Sequence, residues 1–300
     1  MAMSDLHFVI CGLGYSGAAV ARAAVRLGMK VTATSRDPMG VHAPDGVEIV
    51  GFADAGPALA DATHVLATAP PGEGGDPVLV QFGAILQASR TLRWAGYFST
   101  TGVYGDQGGG WVDETTQAAG TAPRARRRLA AERAWSGLAG HVAVDLFRVA
   151  GIYGPGRSIL DDLRAGTARR VLKPGHAFGR IHRDDIAGAV MAAIGQNRGP
   201  GVRVLHLADD QPEESAVVTQ VAAELLGLPV PPGIPYADAL SGMGEMARSF
   251  WADNRKVASA ITQRELGYRW RYPGYREGLA SILAEERGHG VGQEREITGP

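Results

Sequence analysis

The chain has 300 residues, 45% of them hydrophobic and 20% charged, with a formal net charge of −1. That length suits roughly two domains, or one α/β domain with a substrate-binding extension, and the apolar fraction supports a sizeable core. The near-neutral charge argues against general affinity for nucleic acid or an anionic membrane surface, and the single cysteine, Cys11, excludes an intrachain disulfide framework.

Residues 7–11 read as an apolar strand, followed by Gly12-Leu13-Gly14-Tyr15-Ser16-Gly17 and an Ala-rich helical stretch over 18–27. This order of strand, glycine loop and helix matches a phosphate cradle. Gly12 permits the tight turn, Gly14 lets the backbone approach a pyrophosphate, and Gly17 lets the helix pack close to the strand. N–H groups at the helix start would face the phosphates, and Tyr15 and Ser16 join the candidate cofactor residues. Residues 30–34 form the expected second strand. An acidic residue near its end would bind both ribose hydroxyls of NAD; Ser35 and Arg36 stand there instead. A guanidinium attracts a 2′-phosphate, so NADP is favoured, while Asp37 keeps NAD open.

Residues 47–52 predict a third strand leading to Ala53-Asp54 near the adenine. Residues 63–68 predict a fourth, running into Ala69-Pro70-Pro71-Gly72. Thr68, Ala69 and Pro70 should border the cofactor, because ligands in such sheets lie at the carboxyl ends of the strands. Apolar spacing at Val78, Phe82, Ile85 and Leu86 predicts a helix over 76–90, and 94–99 a fifth strand. Further elements are expected as helix 123–138, strand 142–148, a sharp loop over 151–156, helix 158–168 and strand 170–172. Helix 185–195, strand 203–207, helix 214–226 and closing helices 255–266 and 275–287 follow. The alternation implies an α/β fold, a Rossmann-type doubly wound parallel sheet with a smaller C-terminal substrate-binding lobe. The expected division is a dinucleotide-binding core at 1–150, then a mixed region at 151–288 that completes the core and forms the lobe. Residues 289–300 read as a flexible tail.

Several phrases occur in a familiar order: Gly12 to Gly17; Ser99-Thr100-Thr101-Gly102-Val103-Tyr104-Gly105; Asp113-Glu114; Arg148-Val149-Ala150-Gly151-Ile152-Tyr153-Gly154-Pro155-Gly156; Ile181-His182-Arg183-Asp184-Asp185-Ile186-Ala187; and Leu266-Gly267-Tyr268. Together they resemble the extended short-chain dehydrogenase/reductases, the NAD(P)-dependent sugar-nucleotide epimerases, dehydratases and reductases, over roughly residues 7–285. The resemblance implies that Thr100 polarises a substrate carbonyl. It also implies a Tyr-x-x-x-Lys pair on the next helix, the tyrosine as general acid/base and the lysine lowering its pKa and holding the nicotinamide ribose. This chain lacks the pair. The matching positions hold Arg124 and Arg128, and the residues four before Lys30, Lys173 and Lys256, the three lysines of the chain, are Arg26, Arg169 and Ala252. A guanidinium stays protonated and cannot act as the base. The chain therefore resembles the atypical members of the superfamily.

Arg128 can still take over the lysine's binding task, and Arg124, on the same helix face, can grip a substrate anion. Tyr104 and His182 are the remaining acid/base candidates beside Thr100. Tyr153, in the loop leaving the sheet, is a candidate for substrate binding, and Asp184 for a helix N-cap. No metal-ligand spacing occurs, so no metal is expected. Residues 1–6 are too short and polar for a signal peptide and no run approaches a membrane span; the cytoplasm is the expected compartment. The expected partners are a small-molecule substrate and, through helices flanking the sheet, a second copy, with neither nucleic acid nor membrane. Two functions compete: an NADP-dependent oxidoreductase or epimerase/dehydratase-like protein for a small polar or sugar-nucleotide-like substrate, and a non-catalytic NADP(H)-binding redox sensor or regulator.

Overall fold

In the computed structural model, which describes residues 5–294, the β-branched and apolar runs assemble into a seven-stranded parallel sheet. The strands are β1 (His7–Cys11), β2 (Lys30–Ser35), β3 (Val47–Gly51), β4 (His64–Ala67), β5 (Trp94–Thr100), β6 (Ala143–Val149) and β7 (Gly201–Leu207). They lie in the order β7-β6-β5-β4-β1-β2-β3. β1 pairs with both β2 and β4, Phe8 standing opposite Val31 on one side and His64 on the other. The strand order therefore reverses beside β1, which is where such sheets leave a crevice for a ligand.

A parallel sheet must be covered on both faces. Alternate side chains of β1 point to opposite layers. Phe8 and Ile10 pack with Val20 and Ala24 of α1 (Tyr15–Arg26), while Val9 and Cys11 pack toward Phe82 and Leu86 of α2 (Pro77–Ala88) and Trp135 of α3 (Pro123–Ser136). Ile186 and Val190 of α4 (Arg183–Gly195) complete the first layer. Each large side chain so buried contributes about 1.5–3 kcal/mol. A separate cluster joins Tyr153, Leu160, Val218 and Ala222 to Leu279 and Ile282, bringing α5 (Ser215–Leu226) against α7 (Tyr275–Glu294). A further helix, α6 (Glu245–Ala252), lies on the surface with no buried residue.

Several boundaries differ from the sequence expectation for local reasons. α1 starts at Tyr15 because Gly14 takes the extended N-cap conformation. Asp76 stays outside α2 and caps it, accepting from the Val78 and Leu79 N–H groups. The helix expected from residue 255 starts at Ala260, because Lys256–Val257 pairs with Trp111–Val112 as a short parallel ladder. The last helix runs over Tyr275–Glu294, which takes in the first part of the expected tail; residues 295–300 lie outside the described residues.

Candidate functional site

Three cavities run along the carboxyl ends of the strands as one groove. The first, about 730 Å³, is lined by Gly12, Gly14, Ser35, Arg36, Phe52 and Thr68, with Ala69 and Pro70 at its edge. The second, about 200 Å³, shares Gly14 and Thr68 with the first and also touches Tyr15, Ser16 and Gly17. It shares Ser99, Arg128 and Arg157 with the third, about 560 Å³.

The glycine loop has the shape of a cradle. Gly12 has φ +111°, and a Cβ there would lie 2.6 Å from Thr68 Oγ1, the hydroxyl that braces the loop by donating to the Gly12 carbonyl at 2.7 Å. A Cβ on Gly17 would press on the Gly12 carbonyl oxygen, so α1 can approach only as glycine. A Cβ on Gly14 would meet nothing within 4 Å, and no side chain caps the start of α1. Open space beside uncapped N–H groups fits a dinucleotide pyrophosphate. Tyr15 spends its hydroxyl on the Pro155 carbonyl at 3.0 Å and lies under the Arg157 and Arg183 guanidiniums, tying this loop to the one after β6. Arg36 is exposed at the end of β2 and makes no hydrogen bond or ion pair among the described residues. Ser35 holds the backbone of Asp37, whose carboxylate accepts from the Gly40 N–H at 3.1 Å.

At the end of β5, Thr100 Oγ1 accepts from the Gly102 N–H at 3.1 Å, leaving its own hydrogen to donate into the third cavity. Arg124 and Arg128 both reach that cavity from one face of α3. Arg128 Nη1 donates to the Phe98 carbonyl at 2.6 Å and the Tyr97 hydroxyl at 3.1 Å, while the Arg124 guanidinium lies 5.5 Å over the Phe250 ring. Tyr153 borders the same cavity; its phenol is within 3.4 Å of the Gly274 carbonyl, and burial raises its pKa.

The other two acid/base candidates lie elsewhere. Tyr104 is 1% exposed and borders none of the three cavities. Its hydroxyl accepts from Arg148 Nη1 at 2.7 Å and meets His206 Nε2 at 2.5 Å, and burial raises its pKa. Arg148 in turn makes a bidentate buried pair with Glu132, and Ser99 donates to that carboxylate at 2.5 Å. His182 is also 1% exposed and borders none of the three. Its Nδ1 accepts from the Asp184 N–H at 3.2 Å, so His182 takes the α4 N-cap expected of Asp184. Burial pushes its pKa down to about 4, which leaves it neutral at pH 7.

Sequence reasoning missed Arg157, Arg180 and Arg255, which converge on the third cavity from separate loops and strands. Their only signal in the sequence was the excess of arginine over lysine. Among the described residues, no cluster of three or more His, Cys, Asp or Glu is placed to hold a metal ion, and no helix is long and apolar enough to cross a membrane.

No family model matches the chain. A functionally unknown conserved protein from Silicibacter pomeroyi is 40% identical, with a TM-score of 0.86 over 93% of this chain and 98% of that one. A structure assigned to the NAD-dependent epimerase/dehydratases, from Methylobacillus flagellatus, superposes with a TM-score of 0.72 at 24% identity, over 94% of this chain and 99% of that one. The 3-diazoavenalumate denitrifying reductase of a Streptomyces species is 33% identical over 152 residues, 48% of this chain and 47% of that protein, so the match spans about half the length of that relative.

Proposed function

We infer a function for a chain that belongs to one family with the Silicibacter pomeroyi protein and has the fold of the NAD-dependent epimerase/dehydratases, within the extended short-chain dehydrogenase/reductase superfamily. It binds a nicotinamide dinucleotide, NADP(H) in preference to NAD(H), and uses it in oxidoreductase or epimerase-like chemistry on a small polar molecule. The observation that carries this reading is the continuity of the groove from the glycine loop to Thr100 and Arg128. The likeness to a reductase over half the chain supports the redox direction.

Gly12, Gly14 and Gly17 would hold the pyrophosphate, Arg36 the 2′-phosphate, and Thr68, Ala69 and Pro70 the adjoining wall. When bound, the nicotinamide supplies or accepts a hydride. Thr100 donates to the substrate oxygen, and the fixed charge of Arg128 stabilises negative charge developing there. A guanidinium is not a general acid or base, so the proton is exchanged with water. A second reading, a non-catalytic NADP(H) sensor, draws on the arginines that stand where the phenol and lysine would be. NADPH binding without oxidation by any acceptor tested would favour it.

The cradle is tested with Gly14→Val. A valine there would project into open space meant for the pyrophosphate without disturbing the fold. Calorimetric titration should show NADPH binding weakened at least about a hundredfold with an unchanged melting temperature. A variant that melts normally and binds NADPH as tightly as wild type would overturn the assignment of the groove.

A further inference from the structure

We propose that the third cavity is built for a flat, apolar anion, an aryl or conjugated carboxylate, and not for a polyhydroxylated sugar nucleotide. This deepens the reading of the site given above and rests on it. Charge is the first reason. Five guanidiniums border the cavity, those of Arg124, Arg128, Arg157, Arg180 and Arg255, and among the described residues Asp253 is its only lining carboxylate. Asp253 is already engaged by Arg255 Nη1 at 3.2 Å. Arg128 Nη1 donates to the Phe98 carbonyl and Arg180 Nη1 to the Phe178 and Glu213 carbonyls, and the Asp209 carboxyl that Arg180 also faces is pushed up to about 8 by burial. Arg255 Nε is buried with no hydrogen-bond partner among the described residues. Like charges around one void repel, and a buried donor left unpaired costs free energy; an anion in the void relieves both.

Shape is the second reason. Phe178, Phe250 and Trp251 form an aromatic wall on the same cavity. Trp251 is held edge-on to Phe178 with centroids 4.9 Å apart, and stacks with His176 and Tyr236 at 5.4 and 5.5 Å. Phe250 is 51% exposed on α6, under the Arg124 guanidinium. Charge and aromatic surface are therefore adjacent, as a ring bearing a carboxylate requires.

The third reason is the hydrogen-bond inventory. Sugar hydroxyls donate as well as accept, and a polyol site needs side-chain acceptors. Among the described residues, no Glu, Asn, Gln or His lines this cavity. Of the five hydroxyl side chains in the lining, that of Ser99 is spent on Glu132, that of Tyr153 on the Gly274 carbonyl, and that of Thr100 already accepts from the Gly102 N–H, which leaves Thr101 and Ser215 as the remaining hydroxyl acceptors. A carboxylate asks only for donors, which the five arginines supply.

The test is calorimetric titration of NADP-saturated protein with cinnamate, cinnamamide, cyclohexanecarboxylate and UDP-glucose. Cinnamate should bind at least about tenfold more tightly than each of the others, the size of one charge-assisted contact. Arg124→Ala, at an exposed position whose loss spares the core, should weaken cinnamate by about tenfold and leave cinnamamide unchanged. Cinnamamide, cyclohexanecarboxylate or UDP-glucose binding as well as cinnamate would overturn the proposal, as would no cinnamate binding at all. If NADP itself fails to bind, the reading of the groove fails, and the same four titrations on the free protein still decide the ligand class.

Discussion

Arg36 stands at the rim of the first cavity, exposed and without an acidic partner among the described residues, where an NAD-selective site would place a carboxylate. The neighbouring Asp37 already accepts from Gly40, which leaves the guanidinium as the group best placed to read a 2′-phosphate. Arg36→Ala should weaken NADPH binding by about tenfold to a hundredfold, corresponding to about 1.5–3 kcal/mol, and leave NADH nearly unchanged. Fluorescence titration with both cofactors checks it; equal losses would show that Arg36 does not discriminate between them. Residue identity is a guide to the placement of Arg36 because the side chain follows directly on β2 and lies at the surface. It was not informative for Tyr104, whose hydroxyl is taken up by Arg148 and His206 in a buried network. A phenol in the sequence carries no record of whether water reaches it.

α3 and α4 show the same contrast between elements. The 3.6-residue period places Arg124 and Arg128 on one face of α3, and both do reach the third cavity. The start of α4 was harder to place, because both His182 and Asp184 can accept a backbone N–H. The short strand Arg180–His182 pairs with Gly151–Tyr153 and delivers His182 extended, at φ −72° and ψ 140°, the conformation an N-cap requires. His182→Ala should therefore cost about 0.5–2 kcal/mol, and Asp184→Ala a smaller amount through its Arg183 pair and the helix dipole. Urea denaturation of the two variants gives the order, and a larger loss for Asp184→Ala would return the cap to the aspartate.

Across the whole molecule, buried titratable groups set a pH profile of stability. His64 and His182 are held near pKa 4 by burial, against 6.5 when exposed. Their folded values are depressed, so the stability they contribute is present above pH 6.5 and lost as pH falls toward 4, at up to about 1.4 kcal/mol per pH unit for each. Asp209 moves the other way. Burial raises its carboxyl to about 8, and both its oxygens lack hydrogen-bond partners among the described residues. Its contribution is complete below its exposed value of 3.8 and is lost as pH rises through about 8. Stability should peak near pH 6.5 and decline toward pH 8, and Asp209→Asn should remove that decline. Denaturant midpoints measured from pH 4 to 9 test this; a wild-type profile flat between 6.5 and 8 would show that Asp209 ionises freely in the folded protein.

The sequence by itself determined the parallel α/β architecture, the glycine cradle, the Ser35-Arg36 end of β2 and the absence of a phenol–lysine pair. Each of these is written within a few residues, by side-chain period, by the torsion freedom of glycine, or by which functional group follows a strand. Only the tertiary structure decided that Arg157, Arg180 and Arg255 join Arg124 and Arg128 around one cavity, and that Tyr104 and His182 are shut away from it. Convergence of charge and loss of water depend on segments that are distant in the chain and meet only after packing. Local pattern therefore specified the strands and helices, and packing specified the environment of each polar group.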